Sequence, residues 1–265
     1  MMDVVARMAA AAVDVTSFLT SSAASKEAFK TANLLKSLGV NALISGEHGT
    51  GKRSLAKYIL PEATVFDALD YEEIISSLPS CKSIIIYKIE NSPNIEQLFE
   101  LIVKYQVRII ATTCLLDHSE RFEDQFSIKI PLPPLRERAE DIRMLQEVFV
   151  KEAKTIFGFE HNFDLSKHDP DLSKNAYSLR RQIMMNYLLD DINEAELMVI
   201  IENFLSDKLG SNNDYRNFLH LFEVPLIQAG MKRFKSQLQL SERLGLNRNT
   251  LRKKIAENES FGLKT

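Results

Sequence analysis

Gly46, Gly51 and Lys52 stand in the spacing Gly, four residues, Gly-Lys inside the stretch SGEHGTGKRS that runs from Ser45 to Ser54. Glycines let backbone N–H groups approach an anion, and a lysine at that point neutralises outer phosphate oxygens. The candidate nucleotide-binding residues are therefore Gly46, Glu47, His48, Gly49, Thr50, Gly51, Lys52 and Arg53, and ATP or ADP is the ligand they would hold. The next position, where a hydroxyl would bind Mg²⁺, holds Arg53.

A second pattern lies near the C-terminus, in KSQLQLSERLGLNRNTLRKKIAEN. Leu240 and Leu244 sit four apart, Gly245 supplies a tight turn, and Asn247 is a good N-cap for a following helix. Leu251 and Ile255, again four apart, would point back into the same small core. That leaves Arg248, Asn249, Arg252 and Lys253 facing outward, the layout of a helix-turn-helix whose second helix enters the major groove. The candidate DNA-binding residues are Gln237, Arg248, Asn249, Thr250, Arg252, Lys253 and Lys254. Arg248 and Asn249 are placed for bases; Lys253 and Lys254 are placed for phosphate. The alternative is a solvated basic helix on an ordinary hairpin.

These residues need a frame. VNALIS reads as a buried strand running into the glycine loop, and RSLAKYIL continues as a helix ended by Pro61. KEAFKTANLLKSLG puts Phe29, Ala32 and Leu35 at helical spacing before them. ATVF, SIIIY and VRIIATT are further apolar runs, separated by helical patterns such as NIEQLFELIVKY. Alternating strands and helices predict an α/β fold with a parallel sheet. After IPLPPLRER the strands stop, and EDIRMLQEVFVKEAKTIFG, YSLRRQIMMNYLL and EAELMVIIENFLSDKLG read as amphipathic helices. The expected organisation is an N-terminal extension (1–22), an α/β subdomain (23–138), a helical lid (139–207), a polar linker (208–217) and an all-α DNA-binding domain (218–265).

Composition agrees with a globular chain: 45% of its 265 residues are hydrophobic and 26% are charged. From Met231 onward nine basic side chains face three acidic ones, a local +6 that leaves −9 on the rest of a chain of net charge −3. A basic end on an acidic body points to a polyanion partner. No run of about 18 uncharged apolar residues exists, so no membrane span is expected. The start MMDVVARMAAAAVDVTSFLT is interrupted by Asp14, which favours an amphipathic helix over a leader. Cys81 and Cys114 show no metal-ligand spacing, and the five histidines form no cluster, so no structural metal and a reducing, cytoplasmic setting are expected.

GLNRNTLRKKI resembles the C-terminal segment of Fis-type DNA-binding domains, and FEVPLIQAGMKRF resembles the helix through which such domains pair. Together with the glycine loop and LPPLRERAEDIRML, it makes the chain, from about Phe18 to Lys264, resemble the NtrC-like enhancer-binding proteins that activate sigma-54 RNA polymerase. The resemblance implies an AAA+ module of α/β and lid subdomains followed by a Fis-type helix-turn-helix. It also implies a homodimer through the C-terminal helices, duplex DNA as partner, and RNA polymerase or another regulator as a further one. No sensor domain would fit before the module.

Several family features are missing. GESGTGKE is usual at the loop, so a non-hydroxyl residue after the lysine is normal there. The Walker B strand, usually LFLDEI, corresponds to IIIYKIENSP, which puts Tyr87 and Lys88 where Mg²⁺-anchoring aspartate and water-polarising glutamate belong. The arginine fingers fall at His118 and Asp124, with Arg121 usable only in a shifted register, and the sensor arginine falls at Tyr177, one turn before Arg180. The GAFTGA loop that touches sigma-54 cannot be present, because no glycine occurs between Lys52 and Phe157. The reading is a sigma-54-independent, sequence-specific DNA-binding regulator without ATP hydrolysis. The alternatives are a weak ATPase using Glu90 or Asp117, and an AAA+-like scaffold. The loop itself either holds nucleotide without turnover or merely joins strand to helix.

Overall fold

The computed structural model describes residues 18–114, 122, 124–158, 163–190, 192–234 and 236–263, in two compact units, Met1–Ile192 and Asn193–Thr265. The first unit begins with α1 (Ala23–Ser37), whose Ser22 N-cap accepts from the Ser25 N–H. Then come β1 (Ala42–Ser45), α2 (Lys52–Ile59), β2 (Thr64–Asp67), α3 (Tyr71–Ser77), β3 (Ser83–Tyr87), α4 (Ile95–Tyr105), β4 (Arg108–Thr113) and β5 (Ile128–Pro131).

All five strands pair in parallel, in the order β2-β3-β4-β1-β5. Side-chain alternation splits the apolar residues between two faces. Leu43, Ile84, Ile86, Ile109 and Ala111 pack with Ile74 of α3 and with Leu98, Phe99 and Ile102 of α4. Ala42, Ile44, Ile85 and Ile110 pack with Ala28, Ala32 and Leu35 of α1 and with Leu55, Ala56 and Ile59 of α2. The sheet is thus covered on both sides, as the apolar runs require. β5 was not foreseen: it is four residues long, only Ile130 in it is buried, and it ends in Pro131.

Two further helices follow, α5 (Ala139–Phe157) and α6 (Ala176–Leu189). Gly158 closes α5 at φ +73°. Phe149 of α5 packs on Leu179 and Ile183 of α6, and Ala153 on Met184 and Tyr187.

The second unit holds α7 (Glu194–Ser206), α8 (Asp214–Phe218), α9 (His220–Arg233), α10 (Gln237–Arg243) and α11 (Arg248–Glu257). The third of the amphipathic helices, α7, thus groups by contacts with the C-terminal residues rather than with α5 and α6. The polar stretch GSNNDYRN is not wholly irregular, since α8 forms within it, with Asp214 accepting from the N–H groups of Gly210 and Ser211. The core of the unit is Val224, Ile227, Leu240, Leu251, Ile255 and Leu263.

Candidate functional site

In the first unit the glycine loop joins the end of β1 to the start of α2, as strand–loop–helix spacing demands. Gly46, Gly49 and Gly51 take φ values of +152°, +80° and +104°, a region costly for side chains that carry a Cβ. The loop is also tightly packed. A Cβ on Gly49 would lie 2.4 Å from the Lys174 carbonyl oxygen, and one on Gly51 would lie 2.9 Å from the Phe18 ring.

Lys52, at the first turn of α2, is buried, and its Nζ donates to the carbonyls of Gly46 (2.5 Å) and Glu47 (2.7 Å), with Cys114 Sγ at 3.5 Å. Burial lowers its pKa, and the nearby Cys114 and Glu90 work against that shift. Thr50 is buried, with its hydroxyl donating to the Glu47 carbonyl.

The loop's surroundings were not visible in the glycine pattern. Asn175, buried just before α6, accepts from the Leu135 N–H at 2.7 Å and donates to Glu47 Oε2 and to the His48 carbonyl at 3.1 and 2.8 Å. It adopts φ +53° with ψ −130°, outside the left-handed helical basin, a strained backbone that these hydrogen bonds hold in place. Arg136 pairs with both Glu47 oxygens at 2.7 and 3.0 Å, and these hydrogen bonds hold the Glu47 carboxyl below its usual range. Arg138 donates to the Thr50 carbonyl at 3.0 Å and to Asp141 at 3.3 Å.

Asp141 in turn accepts from the backbone of Ser21 and Ser22 and from the hydroxyls of Ser22 and Ser25. Burial alone would raise its pKa, but those hydrogen bonds outweigh it and the net shift is downward. The start of α1, the loop and the start of α5 are thereby tied together.

These groups enclose a cavity of about 310 Å³ between the loop, α5 and α6. His48, Gly49, Thr50, Gly51, Lys52 and Arg53 line it. So do Phe18, Leu145, Val148 and Phe149, an apolar side of a kind that a base could occupy, and Tyr177 and Arg180. A nucleotide phosphate fits this set: glycines at positive φ, a buried lysine and neighbouring cations.

Tyr87, Lys88, Glu90 and Arg180 each contact neighbouring residues. Tyr87 ends β3, and Arg53 lies over its ring at 4.6 Å. Lys88, at φ +54°, pairs with Asp67 at 3.2 Å. Glu90 Oε1 accepts from the Cys114 N–H at 2.9 Å. Arg180 makes a bidentate pair with Glu152 at 2.6 and 2.9 Å. Asp124 is exposed, while Asp117, His118 and Arg121 lie outside the described residues.

In the second unit, α10 and α11 meet at Gly245, which turns at φ +65°. The Asn247 side chain caps α11 by accepting from the Asn249 N–H at 2.8 Å. Leu251 and Ile255 are buried against Leu240, with Leu244 partly buried beside them. Arg248, Asn249, Thr250, Arg252 and Lys253 are exposed, and Gln237 is half-buried at the first turn of α10.

Lys254 departs from expectation. It is ion-paired with Glu223 on α9, because position 254 follows the buried stripe rather than the outer face. Gly230 escaped notice in the sequence: a Cβ there would lie 2.3 Å from Leu240 Cδ1, so it sets how closely α9 and α10 approach.

Residues 218–257 match the model of the bacterial regulatory protein, Fis family. The DNA-binding transcriptional regulator NtrC of Azospirillum brasilense is 28% identical over an alignment of 201 residues, covering 58% of this chain and 42% of that protein. That of Rhizobium meliloti is 29% identical over 170 residues, covering 49% and 35%. The chain thus spans less than half the length of these curated relatives. The crystal structure of NtrX from Brucella abortus in complex with ATP shares the fold, with a TM-score of 0.56 at 16% identity over 96% of this chain and 72% of that one. By sequence and by fold, the chain is similar to NtrC-like AAA+ proteins that carry a Fis-type C-terminal helix-turn-helix.

Proposed function

We propose that the protein is a sequence-specific DNA-binding transcriptional regulator that acts without sigma-54 and without hydrolysing ATP. The observation that carries the reading is the α10–turn–α11 hairpin: a buried Leu240–Leu251–Ile255 core beneath an exposed row of Arg248, Asn249, Thr250 and Arg252. Residues at the start of such a helix reach base edges, where a good bidentate contact discriminates by about 1–3 kcal/mol. Lys253, paired with Glu257 only loosely at 3.7 Å, serves phosphate.

The relatives supply the regulatory context: both curated ones are named DNA-binding transcriptional regulators. The absence of glycine from Lys52 to Phe157 rules out a GAFTGA loop in this chain and supports sigma-54 independence. For hydrolysis, a base must face the attacking water and a carboxylate must anchor the metal. Lys88 and Tyr87 offer neither, which supports a nucleotide site that binds without turnover.

Pairing of two chains through the C-terminal helices is part of the same proposal. On α9, the helix that carries FEVPLIQAGMKRF, Phe222 and Leu226 are 67% and 39% exposed, apolar side chains that a second copy would cover. Two recognition helices about one DNA turn apart would follow.

The test is selection of bound genomic fragments by the full chain, followed by mobility shifts with wild type, Arg248→Ala and Arg252→Ala at fixed salt. Both variants should lose specific binding while melting normally. Wild-type shifts from either variant would remove the assigned reading surface. Phosphate release above background that disappears in Lys52→Ala would restore the ATPase reading.

A further inference from the structure

We propose that the pocket takes its nucleotide as the metal-free anion, with Arg53 supplying the charge that Mg²⁺ supplies at other phosphate-binding loops. The inference rests on the reading of the glycine loop as a nucleotide site. Mg²⁺ requires near-octahedral oxygen ligation, and at such loops the protein contributes a hydroxyl after the lysine or a carboxylate at a strand end. Neither is present. Arg53 follows Lys52, and its guanidinium lies 4.6 Å from the ring centroid of Tyr87, the last residue of β3.

The next residue brings a second cation: Lys88 lines the same cavity and already neutralises Asp67 at 3.2 Å. Asp141 is the carboxylate on the cavity wall among the described residues. Its oxygens are taken by Ser21, Ser22, Ser25 and Arg138. The lining hydroxyls of Thr50, Ser54 and Thr112 are neutral, so a divalent cation entering here would meet the charges of Arg53 and Lys88 with no uncommitted carboxylate among the lining residues, whereas phosphate oxygens would meet charge-assisted donors. Mg²⁺ in solution then competes with the protein for the same phosphate oxygens.

Calorimetric titration of the full chain with ADP and ATP, in EDTA and in excess Mg²⁺, tests this. Affinity in EDTA should equal or exceed that in Mg²⁺. Arg53→Met, an exposed change that should leave the melting temperature in place, should weaken binding in EDTA about tenfold or more. Binding that appears only with Mg²⁺ would overturn the inference and leave the nucleotide site standing. Wild-type affinity of Arg53→Met in EDTA would overturn the role given to Arg53. No heat with either nucleotide in either buffer would remove the nucleotide site itself, and the inference with it.

Discussion

Replacing Asp141 with alanine should destabilise the first unit by about 3–5 kcal/mol, the usual cost of stranding one member of a buried ion pair. The structure sets the scale: the Arg138 and Asp141 side chains are each only 3% exposed. Among the described residues, loss of the carboxylate would leave Arg138 with the Thr50 carbonyl as its hydrogen-bond acceptor, and would take this acceptor from four donors on Ser21, Ser22 and Ser25. The chain has no tryptophan, so urea unfolding is best followed by deuterium uptake in the sheet peptides. With a slope of about 2 kcal/mol/M, the midpoint should fall by roughly 1.5–2.5 M.

The double variant Arg138→Met with Asp141→Ala should recover part of the loss, because the stranded charge is gone. The pH dependence has a defined sign. Asp141 sits below its ordinary value of 3.8, so its contribution is fully present above that pH and is lost as pH falls through the lower folded value. Wild type and variant should therefore differ equally at pH 7 and pH 5, and converge only below about pH 4. A loss under about 1 kcal/mol at pH 7, or a gap that closes between pH 7 and 5, would refute the reasoning.

Asn175→Ala leaves the buried Leu135 N–H and the more exposed His48 carbonyl without this partner and should cost about 1–3 kcal/mol in the same unfolding measurement. Gly49→Ala should cost more than about 1 kcal/mol and weaken nucleotide binding, since its Cβ meets backbone at 2.4 Å and its φ is +80°; an unchanged titration would show that the 174–177 segment moves freely. Lys253→Ala should lower the salt slope of DNA binding by about one, whereas Lys254→Ala should leave the slope unchanged and lower the stability of the second unit through loss of its Glu223 pair. Leu251→Ala should cost about 2–5 kcal/mol and abolish binding through unfolding, read as a lowered midpoint in helical circular dichroism.

Short-range chemistry made much of this protein legible in its sequence. The strand–glycine–lysine–helix succession, the alternating apolar runs, and the hairpin from Leu240 to Ile255 each repeat over one or two turns or strands, within the reach of periodicity. The identity of Tyr87 and Lys88, and the absence of glycine from Lys52 to Phe157, were also readable directly. Tertiary structure decided the rest. β5 is too short and too little buried to carry a pattern, and it is defined by its pairing with β1. Asp141 meets Ser22 across 119 residues and Asn175 meets His48 across 127, distances at which spacing records nothing. Lys254 and Lys253 are neighbours in sequence, yet a helix turns about 100° per residue. That rotation sends one to Glu223 and leaves the other in solvent.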